Sequence, residues 1–165
     1  ADVGKKEVEV NAVLNRSLEI FSQQLKLREI EVVEDLQEDL PNVMADSNRL
    51  EQVFINLLIN ARDAIEERWK DTDRKDAVKK IFLKTSAIDS NVIIEVRDTG
   101  TGIPKSIFDK IFEPFFTSKK VGMGTGLGLS ISYGIVQDYY GTIRVKSREG
   151  EGATFIIQFP IPHEN

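Results

Sequence analysis

Apolar residues recur along this chain at two periods, and each change of period marks an element. From Glu7 to Lys26, Val10, Val13, Leu14, Leu18, Phe21 and Leu25 stand at helical spacing, which predicts a first helix ending before Ile30. The run Ile30 to Leu36 is β-branched and partly alternating, so it reads as a strand; Leu40-Pro41 breaks it, and Val43 to Ala45 is a short extended piece. The helical period returns in Leu50, Val53, Phe54, Leu57, Leu58, Ala61 and Ile65, with Asp46 or Ser47 as the N-cap. Residues 66–80, EERWKDTDRKDAVKK, are densely charged with mixed signs and predict a helix end plus an exposed loop. Lys80 to Ile88 and Asn91 to Arg97 read as strands around an Asp89-Ser90 hairpin turn. Pro104 to Phe112 reads as a short helix with proline in its first turn, and Gly126 to Tyr139 as a longer one. Gly141 to Lys146 and Ala153 to Phe159 form a closing hairpin over REGEG.

Helices and hairpins are segregated in this order instead of alternating strand by strand. That predicts an α+β class: a two-layer sandwich, with a mixed sheet covered on one face by helices, and not a doubly wound nucleotide fold. No internal repeat or low-complexity segment is visible, and 165 residues with 41% hydrophobic content suit a single domain, 1–165.

The polar positions inside the second helix raise a chemical question. At about 100° per residue, Arg49, Asn56, Asn60, Asp63 and Glu67 form a second stripe, while Ile55 and Ile59 lie beyond it on the far side. The two asparagines are therefore bracketed by apolar surface, where an unsatisfied amide costs roughly 1–3 kcal/mol. Either they bond to neighbouring backbone as structural polar residues, or they face a ligand or a hard metal ion. The helix alone leaves both open.

Two glycine clusters bear on the choice. In VIIEVRDTGTGIP, Asp98 stands where a strand gives way to Gly100 and Gly102. A carboxylate fixed there can accept a hydrogen bond from an exocyclic amine, and flanking glycines let the backbone approach a flat ring, which would suit adenine; a plain aspartate-glycine turn is the alternative. The stretch GMGTGLGLS, Gly122 to Ser130, leads straight into an amphipathic helix. Free amides there, backed by the positive end of the helix dipole, form a phosphate site, whereas a merely flexible loop leaves unexplained why glycines peak where a helix starts. The preceding IFEPFFTSKK adds Lys119 and Lys120 as charges able to reach a terminal phosphate. Neither cluster fits GxxxxGK[ST] or GxGxxG.

Composition narrows the field further. A net charge of −5 and a pI near 5.1 argue against a general nucleic-acid or anionic-membrane surface, although a local basic loop could still hold phosphate. The absence of cysteine excludes disulfides, thiolate zinc sites and cysteine nucleophiles, and fits a reducing, cytoplasmic compartment. No apolar run approaches the roughly 20 residues of a membrane span, and no signal peptide is visible. A sequence opening at Ala1 reads as a domain excised from a longer protein, whose parent can still be membrane-anchored.

Taken together, NLLINA, DTGTGIP, IFEPFF and GTGLGLS resemble the N box, first glycine box, F box and second glycine box of the histidine-kinase-type ATPase superfamily, the Bergerat fold. Their order and spacing are similar to those in the ATP-binding catalytic domain of bacterial two-component sensor histidine kinases, over nearly the whole chain. The resemblance implies an α/β sandwich that binds ATP and Mg²⁺ between the helical layer and a lid, here about Phe115 to Thr125, mobile without nucleotide. It implies that Asn60 coordinates Mg²⁺, that Asn56 lies beside the phosphates and that Asp98 receives the adenine amino group. It extends the nucleotide site to Asp63, Gly100, Gly102, Ile103, Phe112, Gly124, Thr125, Gly126, Leu127, Gly128 and Leu129. Amides around Gly126 to Gly128 would cradle the phosphates and Lys119 would contact the γ-phosphate. Asn56, Asn60 and Lys119 would be the catalytic set.

Topoisomerase and heat-shock chaperone relatives carry a water-activating glutamate four residues before the metal asparagine. Asn56 stands there in this chain, and a carboxamide is not a useful general base at neutral pH, so transfer to an external nucleophile is the implied chemistry. The implied acceptor is a histidine on a dimerisation domain, expected outside this chain because only six residues precede Glu7 and the sole histidine, His163, sits in the tail PHEN. A response regulator would be an indirect partner, and neither nucleic acid nor membrane a direct one. Two rival readings are a serine kinase of the anti-sigma-factor type, disfavoured by the form IFEPFFTSK, and a non-catalytic nucleotide-sensing module.

Overall fold

Alternation along the strands decides which way the sheet faces. In a computed structural model, which describes residues 5–73, 75–116 and 128–163, Val92, Ile94, Val96 and Asp98 are buried in turn along β5 (Asn91–Asp98). Ile81, Leu83 and Thr85 of β4 (Lys80–Ile88) are buried with them. The two strands form a hairpin in register from Ile81↔Asp98 to Ile88↔Asn91. Asp89 (φ 50°) and Ser90 (φ 66°) make its turn; two consecutive left-handed residues match the twist of paired strands. The closing hairpin of β6 (Thr142–Arg148) and β7 (Gly152–Pro160) adds Ile143, Phe155, Ile157 and Phe159 to the same inner face.

The sheet order is β2-β4-β5-β7-β6, where β2 is Glu31–Leu36. The β2–β4 pairing is parallel and the rest are antiparallel, so the sheet is mixed as expected. Among the described residues three helices lie on its inner face: α1 (Val10–Lys26) against β2, α2 (Ser47–Trp69) against β5 and β7, and α3 (Gly128–Asp138) against β6. All seven apolar residues of the predicted α2 stripe are buried in the shared core. Asp46 is the cap of α2, its Oδ1 accepting the Asn48 and Arg49 N–H groups at 2.8 and 3.1 Å. No helix among the described residues is long and apolar enough to cross a membrane.

Two expectations need correction. The first helix does not begin at Glu7: residues Lys6–Val8 form β1, which pairs antiparallel with β3 (Val43–Ala45) in a separate two-stranded sheet, and the helix starts at Val10. Val8 is buried by that pairing, a partner from a distant part of the sequence that helical periodicity cannot register. Pro104 to Phe112 is not a continuous helix either. A single 3₁₀ turn at Lys105–Ile107 follows the extended Pro104, and successive turns carry the chain onward.

Candidate functional site

Helix α2 is the spine of the site, because it presents Asn56, Asn60 and Ala64 one turn apart on one side. At Asn56 it meets the start of α3: the amide Nδ2 donates to the Gly128 carbonyl at 3.2 Å and to Ser132 Oγ at 3.3 Å. Arg49 repeats the link two turns earlier, with its guanidinium 2.7 Å from Asp138 Oδ2 and 3.3 Å from the Tyr139 hydroxyl. Ser132, wholly buried, is thus a polar group placed in the core to meet Asn56. Sequence reasoning missed it, since a lone serine on an apolar helix face has no signal of its own.

At Ala64 the same helix meets the first glycine turn. Thr101 N–H donates to the Ala64 carbonyl at 3.2 Å, and a Cβ on Gly100 would stand 2.5 Å from Ala64 Cβ and 2.6 Å from its carbonyl carbon. Gly102 (φ +74°) leans on the other side, where an added Cβ would fall 2.0 Å from the Arg148 carbonyl oxygen. Arg68 and Trp69 complete the clamp: Trp69 Nε1 donates to Thr99 O at 2.9 Å and Arg68 Nη1 to the same oxygen at 3.2 Å. Both lie in the charged run 66–80, to which the sequence assigned no chemistry. Their relation to the turn is visible only once β5 is brought beside the end of α2. Ile103 is held by its own N–H, which donates to Ser147 Oγ at 2.7 Å.

Asp98 faces into this corner with 4% of its surface exposed. Its Oδ1 accepts the Gly100 N–H at 2.8 Å and the Ala153 N–H at 3.3 Å. Burial raises its pKa from 3.8 to about 6, while the two backbone N–H groups and the Arg68 charge pull it down.

Between these two ends lies Asn60. Its Nδ2 is buried and has no hydrogen-bond partner among the described residues, unlike the amide of Asn56 one turn away. The two asparagines, which the sequence could not separate, therefore play different parts: one ties helices together and the other has an unmet donor. Asp63 on the same stripe is engaged by Arg62 Nε at 3.0 Å. Phe112 packs at the α3 side, its ring centroid 5.5 Å from that of Tyr133 and 6.4 Å edge-on from Phe155, and Leu129 packs against the core at the first turn of α3. Lys119, Gly124, Thr125, Gly126 and Leu127 lie outside the described residues, as does the expected lid beyond Phe116.

Comparisons of the sequence and of the fold with known proteins agree with one another. The family model described as histidine kinase-, DNA gyrase B-, and HSP90-like ATPase matches residues 45–163. Sensor kinase CckA of Brucella abortus (strain 2308) is 46% identical over 139 residues, covering 81% of this chain and 15% of that protein. Sensor histidine kinase ZraS of Escherichia coli (strain K12) is 38% identical over 154 residues, covering 93% of this chain and 30% of that protein. The chain thus spans less than a third of either relative. Among solved structures, a nucleotide-free catalytic domain of the histidine kinase ThkA superposes with a TM-score of 0.79 at 33% identity, over 95% of both chains. Full-length ShkA in complex with AMPPNP superposes with a TM-score of 0.80 at 27% identity, over 97% of this chain and 32% of that one. The family model, the sequence relatives and the solved structures agree, and the chain belongs to the histidine kinase-, DNA gyrase B- and HSP90-like ATPases, with the fold of a histidine kinase catalytic domain.

Proposed function

We propose that this domain binds an adenine nucleotide with Mg²⁺ along α2 and donates the γ-phosphoryl group to a histidine carried by a separate dimerisation domain. The observation that carries the reading is the buried Nδ2 of Asn60, which has no hydrogen-bond partner among the described residues, midway between the Asp98 corner and the start of α3. From Asn56 to Ala64 the helix rises about 12 Å, enough to lay a nucleotide along it with base and phosphates at opposite ends. The Asp98 carboxylate accepts the exocyclic amine of adenine, and Gly100, Gly102 and Ile103 wall the ring. At the other end the amides from Gly124 to Leu129, helped by Lys119, receive the phosphates, and Phe112 closes the apolar side. ShkA was solved with AMPPNP, a nucleotide analogue, which supports the same class of ligand here.

The donor set suits Mg²⁺ better than a metal needing a protein cage. Among the described residues no three His, Asp or Glu side chains gather to hold a metal ion, and Mg²⁺ is ordinarily held by few protein oxygens plus phosphates and water. Asn60, which turns its amide without breaking any bond in the described structure, is the residue to hold it, beside Asp63. When bound, the ion neutralises phosphate charge. Asn56 is already spent on Gly128 and Ser132 and offers no base to activate water, so the domain positions the nucleotide for an outside nucleophile. His163, exposed after β7, is not the acceptor in this reading. A response regulator stands downstream of the histidine.

The test is incubation of the chain with γ-labelled ATP and Mg²⁺, with and without the parent protein's dimerisation domain. Acid-labile label on that domain, little free phosphate and no label on His163 is the expected result. Acid-stable label on a serine of a partner, or no transfer to the correct acceptor, overturns it. Nucleotide binding is read separately by calorimetry with Asp98→Asn, which should weaken ADP sharply.

A further inference from the structure

The face of the sheet that the helices leave uncovered carries two charge patterns. On its β2–β4 side opposite signs meet: Lys80 Nζ is 4.0 Å from Glu31 Oε1, and Asp35 stands in register with Lys84. Toward β6 the pattern changes. Because Ile143 points into the core, alternation puts Arg144, Lys146 and Arg148 on the uncovered face, all exposed. The register then sets Lys146 beside Thr154 and Thr154 beside Arg97. Among the described residues none of these four cations has an ion-pair partner; Arg97 instead lies over the Phe82 ring, 4.3 Å from its centroid. A chain of net charge −5 has collected a strip of one positive sign at one end of its sheet.

That end is also a free edge. β7 borders β6 on one side, and among the described residues no backbone group of 142–147 bonds to anything but β7. Charge on an edge strand does hinder unwanted pairing, but either sign would serve. The opposite edge, β2, carries Glu31, Glu34 and Asp35 and has β4 lysines facing two of them, so edge protection does not account for the uncompensated sign on β6. Beside the edge, Arg97, Lys146 and Arg148, with one carboxylate, Glu151, and Thr154, line an open cleft of ≈ 310 Å³.

We propose that β6 is a docking edge for an acidic, extended polypeptide segment, which adds to the sheet as a further strand. Its backbone bonds to the free edge, and its glutamates or aspartates at every second position stand beside Arg144, Lys146 and Arg148. Both repeats are then that of a strand, about 6.7 Å for two residues. Main-chain bonding supplies affinity in this mode and alternate side chains supply specificity. A nucleic acid or an anionic bilayer fits less well, since each extends its charge far past the strip and meets the repulsion of a net acidic protein.

The experiment uses the full chain and three short peptides: one alternating glutamate and threonine, one of the same composition in scrambled order, and one alternating lysine and threonine. Binding is read by fluorescence anisotropy across a salt series, and β6 by amide hydrogen exchange. The alternating acidic peptide should bind, weaken as salt rises, and protect amides of β6 that exchange freely without it. Arg144→Gln combined with Lys146→Gln, both exposed and remote from α2, should weaken binding about tenfold while circular dichroism stays unchanged. Equal binding of the scrambled peptide, or binding without protection at β6, overturns strand addition. Tighter binding to duplex DNA or anionic vesicles than to the peptide, or self-association of the chain in sedimentation as the occupant of this edge, overturns the acidic partner.

Discussion

At its C-terminal end α2 meets the first glycine turn through close backbone approach braced by Arg68 and Trp69, and in its N-terminal half it meets α3 through side chains. Gly100 and Gly102 sit so close to the Ala64 and Arg148 main chains that no side chain fits, whereas a Cβ on Gly128 would stand an unstrained 3.9 Å from Asn56. Beside the shared apolar core, the polar part of the α3 contact is made by one asparagine and one arginine, the latter paired with an Asp138 that is about half exposed. Steric locking tolerates little adjustment, while a few hydrogen bonds can be remade. One helix therefore offers a fixed corner at Asp98 and an adjustable wall at Gly128, with Asn60 between them.

Gly102→Ala attacks the locked end and should be the most damaging single change. A methyl 2.0 Å from the Arg148 oxygen at φ +74° requires the turn to move, and a loss of at least about 3 kcal/mol in urea unfolding is expected, with ADP binding lost as well. If Gly102→Ala unfolds at the wild-type urea midpoint, the contrast between the ends of α2 fails.

Asp98→Asn comes next and acts in two directions. The folded carboxyl holds its proton more tightly than the unfolded one, so this group's contribution favours folding below the unfolded value of 3.8 and is lost as pH rises through about 6. At pH 7 the buried charge opposes folding by an amount on the order of 3 kcal/mol. The variant should therefore be more stable than wild type at pH 7, and the gap should close toward pH 4, while its ADP affinity is poor throughout. In wild type, ADP affinity should fall as pH drops below about 6, because the carboxylate that accepts the adenine amine becomes protonated. Titrations across this range check both statements, and a pH-independent affinity would remove the charged form from the binding step.

The smallest expected effect separates the two asparagines. Asn56→Ala leaves Gly128 O and Ser132 Oγ without their donor and should cost about 1 kcal/mol in the nucleotide-free protein. Asn60→Ala removes a donor that has no partner among the described residues, so the free protein should be unchanged or slightly more stable while the Mg²⁺-dependent part of nucleotide binding disappears. Thermal melting with and without Mg-ADP reads both, and equal destabilisation by the two changes would dissolve the distinction.

Much of this was legible before any coordinates, for identifiable reasons. The α2 stripe, its Asp46 cap and the Asp89-Ser90 turn are local patterns, and each stands where the spacing put it. The two-layer class followed from the order of elements, and the site stretches from their types of residue. What the sequence withheld depends on partners far along the chain. β1 is a strand only because β3 lies beside it, and Ser132 matters only because Asn56 reaches it from 76 residues away. Pro104 to Phe112 misled for the opposite reason: its apolar residues look helical, but Ile103, Ile107, Ile111 and Phe112 dock into the core one by one from successive turns.

The small sheet of β1 and β3 has a mechanical consequence. Antiparallel register sets Lys6 opposite Ala45, and Ala45 immediately precedes the cap of α2. A pull or twist applied at Lys6 therefore reaches the first turn of α2 through the three paired residues of this small ladder, bypassing α1 and the large sheet. The lever so loaded carries Asn56 and Asn60 along its length, and its far end is anchored by Trp69 and the glycine turn.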